Sequence, residues 1–148
     1  MDLKAQITED MKAAMRARET QRLAAIRLVL AAIKQKEVDE RKDLTDQDVV
    51  SVIEKMIKQR RESISQYEKA ARADLADVEK FELAVLQGYM PQALSESDVE
   101  AAVAAALTES GAQGVRDMGK VMGVLKSKLA GRADMSVVSA MVKARLSG

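Results

Sequence analysis

Two glycines and two basic residues lie together on one flank of a predicted helix near the end of the chain. Gly119 and Gly123 are one turn apart, and Arg116 and Lys120 lie beside them. Glycine inside a helix costs roughly 0.8–1 kcal/mol relative to alanine, so a pair at this spacing requires an explanation. The ordinary interpretation is that a neighbouring helix packs closely on the bare backbone. The second interpretation is that a sugar-phosphate backbone binds there, between the basic side chains.

Positive charge is concentrated in the same part of the chain. Residues 114–148 contain seven basic and two acidic residues, whereas residues 91–113 contain four acidic residues and no basic one. A charged run is usually a solvated face, but a local positive field on a nearly neutral chain favours an anionic partner. The residues that we identify as candidate RNA contacts are Arg116, Gly119, Lys120, Gly123, Lys126, Lys128, Arg132, Lys143 and Arg145.

The composition excludes several kinds of chemistry. The chain has no cysteine and no histidine, which rules out disulfides, Cys/His zinc sites and catalysis by a nucleophile–histidine pair. It has no glycine-rich phosphate loop, and its acidic residues are spread along predicted solvent faces rather than clustered for a metal ion. Three aromatic residues argue against a stacking platform for bases. We therefore expect no catalytic residue, no metal site and no cofactor.

A second group of charged residues interrupts an apolar pattern. Arg60 lies in the apolar stripe of one predicted helix, and Glu82 lies in the stripe of the next, which also includes Val78 and has Glu79 close by. A short corner at residues 71–72 makes these helices antiparallel neighbours. Breaking a buried ion pair typically costs about 3–5 kcal/mol, so a buried arginine needs a partner. We predict a structural ion pair of Arg60 with Glu82 or Glu79; a catalytic carboxylate is the lesser alternative, because nothing nearby completes a site.

A third basic pattern follows the second predicted helix. Arg27, Lys34 and Arg41 recur there at seven-residue spacing along the edge of the apolar stripe. The ordinary interpretation is that their long side chains extend beside the core and keep the charged groups in water. Contact with phosphate is the lesser alternative.

The elements that carry all these residues are predicted to be helices. Apolar residues recur at spacings of three and four, and no segment shows the alternation of a strand. Pro91, the one proline, stops a helix and marks a linker. The expected fold is all-α, with an N-terminal lobe of about four helices in residues 1–90 and a three-helix lobe in residues 91–148.

Helix boundaries are indicated by capping residues. Thr20, Thr45 and Ser95 are predicted N-caps, and an acidic residue lies three positions after each of the last two. Gly131 fits the left-handed position that ends a helix, and Asp134 can cap the helix that follows.

Four stretches of the chain follow one another in a recognisable order. They are RLAAIR (22–27) with AAIK (31–34), KQRRESI (58–64) with YEKA (67–70), LQGYMPQAL (86–94), and residues 118–133. Together they resemble the GatB/YqeY family, in particular its small stand-alone YqeY-like proteins. Each stretch alone is ordinary helix sequence, whereas four in order, with the linker proline in place, make a specific match.

The resemblance implies that the C-terminal lobe is similar to the tail domain of the B subunit of glutamine-dependent tRNA amidotransferase, which is associated with tRNA contact. The residues that match are Met118, Gly119, Val121, Met122, Lys126, Gly131, Arg132 and Ala133. The family is labelled a carbon–nitrogen ligase with glutamine as amide donor. In the amidotransferase, amidase chemistry belongs to another subunit and ATP-dependent activation to another domain. This chain matches neither, so we expect the ligase label to overstate its chemistry.

Two functions therefore remain open. The first is an RNA-binding accessory module that recognises tRNA by shape and backbone. The second is a protein-interaction module that docks through the glycines and makes no RNA contact. A third, a ligase subunit that acts with a catalytic partner, rests on the family label alone.

The expected partners are tRNA and, as a further candidate, a tRNA amidotransferase or synthetase protein. We expect neither DNA nor a membrane, since no apolar run approaches the roughly 20 residues that span a bilayer. The first residues lack the apolar core of a signal peptide, from which we expect a cytoplasmic location.

Overall fold

A computed structural model describes residues 2–129 and 131–147, and every regular element in those ranges is helical. This confirms the all-α class. The described α-helices are α1 (Leu3–Arg16), α2 (Thr20–Glu40), α3 (Asp46–Lys69), α4 (Ala73–Gln87), α5 (Glu96–Ser110), α6 (Met118–Leu129) and α7 (Met135–Ser147). A short 3₁₀ turn, Val115–Asp117, leads into α6. Within the described ranges, no helix combines the length and the apolar character needed to cross a membrane.

The helix starts follow the capping predictions at two of three places. Thr45 Oγ accepts from the Asp48 N–H, and the Asp48 carboxylate accepts from the Thr45 N–H, which forms a capping box. Ser95 Oγ accepts from the Asp98 N–H. The prediction for Thr20 is wrong, because α2 begins with Thr20 itself and the cap residue Glu19 makes no side-chain cap hydrogen bond. The Glu19 carbonyl accepts the first helical bond from Leu23 at 2.9 Å, which moves the boundary by one residue.

The chain forms two compact units, which we call unit 1 (residues 1–90) and unit 2 (residues 91–148). In unit 1, α1 packs on α2 and α3 packs on α4, and one apolar cluster joins all four helices. Burial of this apolar surface supplies the main driving force for folding. Its buried members are Ile7, Ala14, Ala25, Ile26, Val29, Ile33, Val49, Val52, Ile53, Met56, Ile57, Val85, Leu86 and Tyr89.

One predicted core residue of unit 1 lies outside the core. Val78 is 47% exposed, so the prediction that it faces inward is wrong. Val78 lies only about 20° around the helix from the buried Val85, so the periodicity that suggested an inward position is present, but the core does not extend over Val78 two turns earlier on α4.

Charged side chains tie the helices of unit 1 together. Arg60 Nε on α3 donates to Glu82 Oε2 on α4 at 2.6 Å and lies 3.1 Å from Glu79 Oε2. Arg60 is 18% exposed, so this contact is largely shielded from water. The single Nε–H serves Glu82, and Glu79 Oε2 makes a charge contact without a hydrogen bond. The structure therefore brings together the three side chains that interrupt the apolar pattern of the sequence.

A second polar contact in unit 1 is not predicted by the sequence pattern. Glu37 on α2 is buried, and its carboxylate accepts from Lys4 Nζ at 2.8 and 2.9 Å and from the Leu44 N–H at 3.2 Å. The hydrogen bond from Lys4, and then that from Leu44, lower the pKa of Glu37 below its ordinary value. A signal for this contact is present in the sequence, since Glu37 follows Ile33 by four residues on the buried side of α2.

Tyr89 provides a third internal contact. Its buried hydroxyl donates to Asp10 Oδ2 on α1 at 2.5 Å. Burial and the Asp10 carboxylate both raise the pKa of Tyr89, which keeps the hydroxyl protonated. This residue belongs to the YMP stretch, and its position explains why a hydroxyl is useful there: it joins the end of the α4 segment to α1.

Unit 2 is a three-helix bundle in which α5, α6 and α7 pack on one another. The buried residues of its cluster within the described ranges are all aliphatic: Val99, Val103, Ala106, Val121, Leu125, Leu129, Val138 and Val142. Between α6 and α7, Gly131 has a φ of +76°, and Asp134 Oδ1 accepts from the Ser136 N–H at 2.9 Å. Both capping predictions for this corner are confirmed.

Candidate nucleic-acid interface

The candidate interface is the solvent side of α6 with the turn that precedes it. Val121, Leu125 and Leu129 are buried and fix the orientation of the helix. At 100° per residue, the opposite side of α6 is centred between Gly123 and Ser127. Amphipathic packing of the aliphatic side therefore presents the glycine-bearing side to solvent.

The two glycines of α6 are uncovered. Neither Gly119 nor Gly123 has a heavy atom within 4 Å of the position that a Cβ would occupy, apart from the backbone of the helix itself and the adjacent residues. The interpretation that a neighbouring helix packs there is therefore wrong for the described helices of unit 2. Neither glycine needs a left-handed backbone, since both lie inside a regular helix. Their bare backbone faces solvent.

Two lysines border this uncovered strip, which we call the glycine strip (Gly119 and Gly123). Lys126 lies about 20° from Gly119 on one edge, and Lys120 lies about 60° from Gly123 on the other. Both lysines are exposed, and neither forms an ion pair within the described part of the chain. Helix α6 itself contains no acidic residue. The strip is thus open backbone between two lysines that form no ion pair in the described ranges.

Arg116 and Asp117 lie in the turn before the strip. Arg116 is exposed, and the Asp117 carboxylate accepts from the Gln113 N–H at 3.0 Å, which closes the turn. That hydrogen bond lowers the pKa of Asp117, and the positive charges of Lys120 and Arg116 lower it further. The carboxylate therefore stays ionised and offsets part of the positive field at this end of α6.

Two of the predicted RNA contacts have partners inside unit 2. Lys128 Nζ lies 2.9 Å from Glu109 Oε2, an exposed ion pair between α6 and α5. Arg132 Nε donates to the Gln92 carbonyl at 3.1 Å, and the Arg132 carbonyl accepts from the Leu94 N–H at 2.9 Å. Arg132 thus holds the first residues of unit 2 against the α6–α7 corner.

The last two candidates lie on α7 and do not share one surface. Lys143 and Arg145 are both exposed, but residues two positions apart on a helix point about 200° away from each other. The structure therefore groups Arg116, Lys120 and Lys126 around the glycine strip, and it separates Lys128, Arg132 and at least one α7 residue from that group.

The sequence is similar to that of known proteins over most of its length. The family model described as Yqey-like protein matches residues 4–146. The chain is 36% identical to a protein of Pyrenophora tritici-repentis over 137 residues, which is 90% of this chain and 75% of the relative. It is 36% identical to a protein of Lachancea thermotolerans over 74% of this chain and 60% of the relative. A protein of Kluyveromyces lactis is 38% identical over 71% of this chain and 58% of the relative.

All three relatives are named "Altered inheritance of mitochondria protein 41, mitochondrial". These names contradict the cytoplasmic location expected from the sequence. The expectation rested on a missing apolar signal core, which cannot separate cytoplasm from mitochondrion because mitochondrial targeting segments are amphipathic. The match spans 75%, 60% and 58% of the three relatives' lengths, so it covers much but not all of each. Because the family model matches nearly the whole sequence, the chain belongs to the YqeY-like protein family.

Proposed function

We propose that the chain is an RNA-binding accessory module and that unit 2 contacts tRNA through the glycine strip of α6. The observation that carries the proposal is the pairing of uncovered backbone at Gly119 and Gly123 with exposed lysines on both edges. A phosphate group can approach bare helix backbone closely, and Lys120 and Lys126 would neutralise its charge from either side. The choice of tRNA as the ligand rests on the resemblance to the amidotransferase tail that the sequence of residues 118–133 suggests.

The proposed mode of recognition is electrostatic and shape-based. Phosphate contacts position a protein on nucleic acid without reading sequence, and unit 2 has no aromatic side chain on which a base could stack. Arg116 would extend the contact beyond the strip, since it is exposed in the preceding turn. The proposal includes no catalytic step, and a relation to the amidotransferase reaction would come from a partner enzyme.

The test is binding of fluorescein-labelled tRNA, measured by anisotropy at several salt concentrations. Lys120→Glu/Lys126→Glu should abolish most binding, and the log–log salt slope should fall by about 0.7–0.9 for each phosphate that the variant no longer neutralises. The matched control is Lys55→Glu/Lys58→Glu on α3, which changes net charge equally with two exposed lysines of unit 1. Equal weakening in both variants, or no binding by wild type at low salt, would reject the proposal.

A second variant separates binding from folding. Gly119→Ala/Gly123→Ala adds two methyl groups to open space and should stabilise α6 by about 1–2 kcal/mol, because alanine is the better helix former. If phosphate approaches the bare backbone, this more stable variant should nevertheless bind tRNA more weakly. Unchanged or tighter binding would limit the interface to the lysine side chains.

The alternative is a protein partner docked on the glycine strip, with no RNA contact. The same uncovered glycines favour it, because small residues allow a helix of another protein to approach closely. Weak salt dependence together with loss of binding in Gly119→Leu would support this alternative. Steep salt dependence would support RNA.

The relatives' names support a mitochondrial location for this chain as well. Fractionation of cells that produce the tagged chain, with mitochondria treated with protease before lysis, would test this. Protection of the chain from protease would support the location, and recovery in the soluble fraction alone would reject it.

A further inference from the structure

Helix α2 packs into unit 1 by one side only. Ala25, Ile26, Val29 and Ile33 are buried against the neighbouring helices. The opposite side carries a second stripe of mostly apolar residues, and all of its members are exposed; Leu28 and Val38 are 45% and 58% exposed. We call it the outer stripe: Ala24, Leu28, Ala31, Gln35 and Val38.

The outer stripe has the spacing of a coiled-coil seam. Its positions alternate by four and three residues, which is the a/d pattern of a heptad repeat. Ala24, Ala31 and Val38 then occupy d positions, and Leu28 and Gln35 occupy a positions. Small residues at d permit a close helix, leucine at a supplies an apolar anchor, and one polar a residue favours a single register.

The basic residues of α2 flank this seam. In the same register Arg27 and Lys34 fall at g, a position that pairs with charges of a facing helix. Arg41 follows at the same seven-residue spacing, as the left-handed cap residue directly after α2. All three are exposed, and none is ion-paired within the described part of the chain. The sequence analysis placed this row of basic residues at the edge of the core. In the structure the row also borders an apolar surface that has no partner helix.

A pocket of about 370 Å³ continues the outer stripe at the end of α2. Lys34, Val38 and Arg41 line it together with Lys4, Lys42 and the acidic residues Glu37 and Asp43. The last two lysines already have carboxylate partners, Lys4 with Glu37 and Lys42 with nearby acids at 3.6–3.7 Å. Lys34 and Arg41, which belong to the flanking row, have no ion-pair partner in the described residues, and the Asp43 carboxylate offsets part of the positive charge of the pocket.

We propose that the outer stripe binds an amphipathic helix of a partner protein whose acidic residues face Arg27, Lys34 and Arg41. The apolar spacing fits a helix, and the uniform positive flank fits carboxylates by charge complementarity. The phosphates of RNA could pair with the three basic side chains, but RNA would leave the apolar Leu28 and Val38 in contact with water or phosphate.

A second copy of this chain fits the stripe less well than an acidic helix. In an antiparallel pair of α2 helices the two g rows face each other, which places like charges together. In a parallel pair each g row faces the e positions of the partner, which here are Ala25, Ala32 and Asp39. That arrangement gives the row one carboxylate, and Ala25 is buried in its own unit.

The probe for this site is a labelled synthetic peptide as long as α2, with leucine at a, alanine at d and glutamate at e and g. Its binding to the full chain is measured by fluorescence anisotropy, beside a control peptide in which every glutamate is lysine. The acidic peptide should bind saturably, and the basic peptide should bind at least about tenfold more weakly. Equal binding of the two peptides, or no saturable binding of either, overturns the proposal.

Matched variants locate the binding surface. Leu28→Asp should weaken binding of the acidic peptide about tenfold. Val78→Asp, at a similarly exposed valine of α4, should leave this binding unchanged. Lys34→Glu should weaken binding of the acidic peptide about threefold and strengthen binding of the basic peptide. Lys58→Glu on α3 is the control for this variant. Full affinity in Leu28→Asp would overturn the proposal even if the acidic peptide binds elsewhere.

The other occupants are distinguished in the same experiments. Concentration-dependent dimerisation that Leu28→Asp abolishes would assign the stripe to a second copy, and displacement of the peptide by tRNA would assign it to RNA; each overturns the acidic-helix proposal. The Lys120→Glu/Lys126→Glu variant should retain full peptide binding. The proposal for the outer stripe and the proposal for the α6 interface are therefore tested independently.

Discussion

The two units use their charged residues in opposite ways. In unit 1, Arg60 and Glu37 are largely buried and link one helix to another. In unit 2 the buried residues of the cluster are aliphatic, and Lys120 and Lys126 extend into solvent without a carboxylate partner in the described ranges. Such charged residues thus link helices in one unit and remain exposed and unpaired within the described ranges of the other.

The units also end their helices differently. Unit 1 places non-glycine residues in the left-handed region at three corners, Arg18, Arg41 and Ala71, with φ between 54° and 59°. Unit 2 uses glycine there, Gly111 at +67° and Gly131 at +76°. This conformation costs a non-glycine residue about 1–2 kcal/mol, so unit 1 carries backbone strain that unit 2 avoids.

The largest effect that this comparison predicts is in the aliphatic core of unit 2. Leu125 is fully buried, so Leu125→Ala should lower the unfolding free energy of unit 2 by about 2–5 kcal/mol. Both tyrosines and the single phenylalanine lie in unit 1, so tyrosine fluorescence reports that unit alone, while far-UV circular dichroism reports both. In urea, the circular dichroism signal of Leu125→Ala should show that unit 2 loses its helices at a lower urea concentration than the one at which the tyrosine fluorescence of unit 1 changes. Unchanged transitions would mean that the core of unit 2 is not organised around Leu125.

The next effect concerns the ion pair of unit 1. Arg60→Met should destabilise unit 1 by about 1–3 kcal/mol, less than for a fully buried pair, because it leaves Glu79 and Glu82 close together without a cation. The measurement is urea unfolding followed by tyrosine fluorescence. Arg61→Met, at the adjacent exposed arginine, is the control and should change stability little. Wild-type stability or better in Arg60→Met would show that the pair is not required.

A smaller effect is expected at Tyr89. Tyr89→Phe removes the hydrogen bond to Asp10 and should cost about 1 kcal/mol, measured by circular dichroism in urea. Because folding raises the pKa of Tyr89, its contribution is complete below the unfolded value of about 10 and is lost as pH rises above it. The wild type should therefore lose stability above that pH more steeply than Tyr89→Phe. Parallel pH profiles would contradict the hydrogen bond.

Much of the fold could be predicted because helices leave local signals. The capping pair Thr45 and Asp48 and the glycine at 131 each specify a boundary through bonds within a few residues. Val78 and Thr20 were predicted wrongly because local periodicity decides neither position. Val78 shares a side of α4 with the buried Val85, but exposure also depends on how far along the helix the neighbouring helices reach, and the start of α2 depends on one residue of register.

The candidate interface was less predictable than the fold. Sequence spacing placed Gly119 and Gly123 on one flank of a helix, but only the packing of α6 shows that nothing in the described chain covers them. Likewise the charge of Arg132 suggested an RNA contact, whereas its guanidinium binds the Gln92 carbonyl. Charge and periodicity identify exposed basic residues; they do not reveal which of those residues already have a partner across the fold.

Relieving backbone strain at a corner of unit 1 should raise stability, whereas the substitutions above lower it. Ala71 adopts a left-handed backbone between α3 and α4, with a φ of 56°. Ala71→Gly removes the steric cost at Cβ and should raise the stability of unit 1 by about 0.5–1 kcal/mol, after the added entropy of glycine in the unfolded chain. Tyrosine fluorescence in urea measures it, and Ala73→Gly, in the first turn of α4, should destabilise instead. A loss of stability in Ala71→Gly would place the strain elsewhere.

The smallest effect concerns the ion pair of unit 2. Lys128 is 49% exposed, and its bond to Glu109 at 2.9 Å lies in water that screens the charges. Lys128→Met keeps the length of the side chain and should change the stability of unit 2 by no more than about 0.5 kcal/mol, and less at high salt. Far-UV circular dichroism in urea at two salt concentrations measures this. A cost as large as that of Arg60→Met would erase the contrast between the units, because it would mean that unit 2 also depends on its charges to fold.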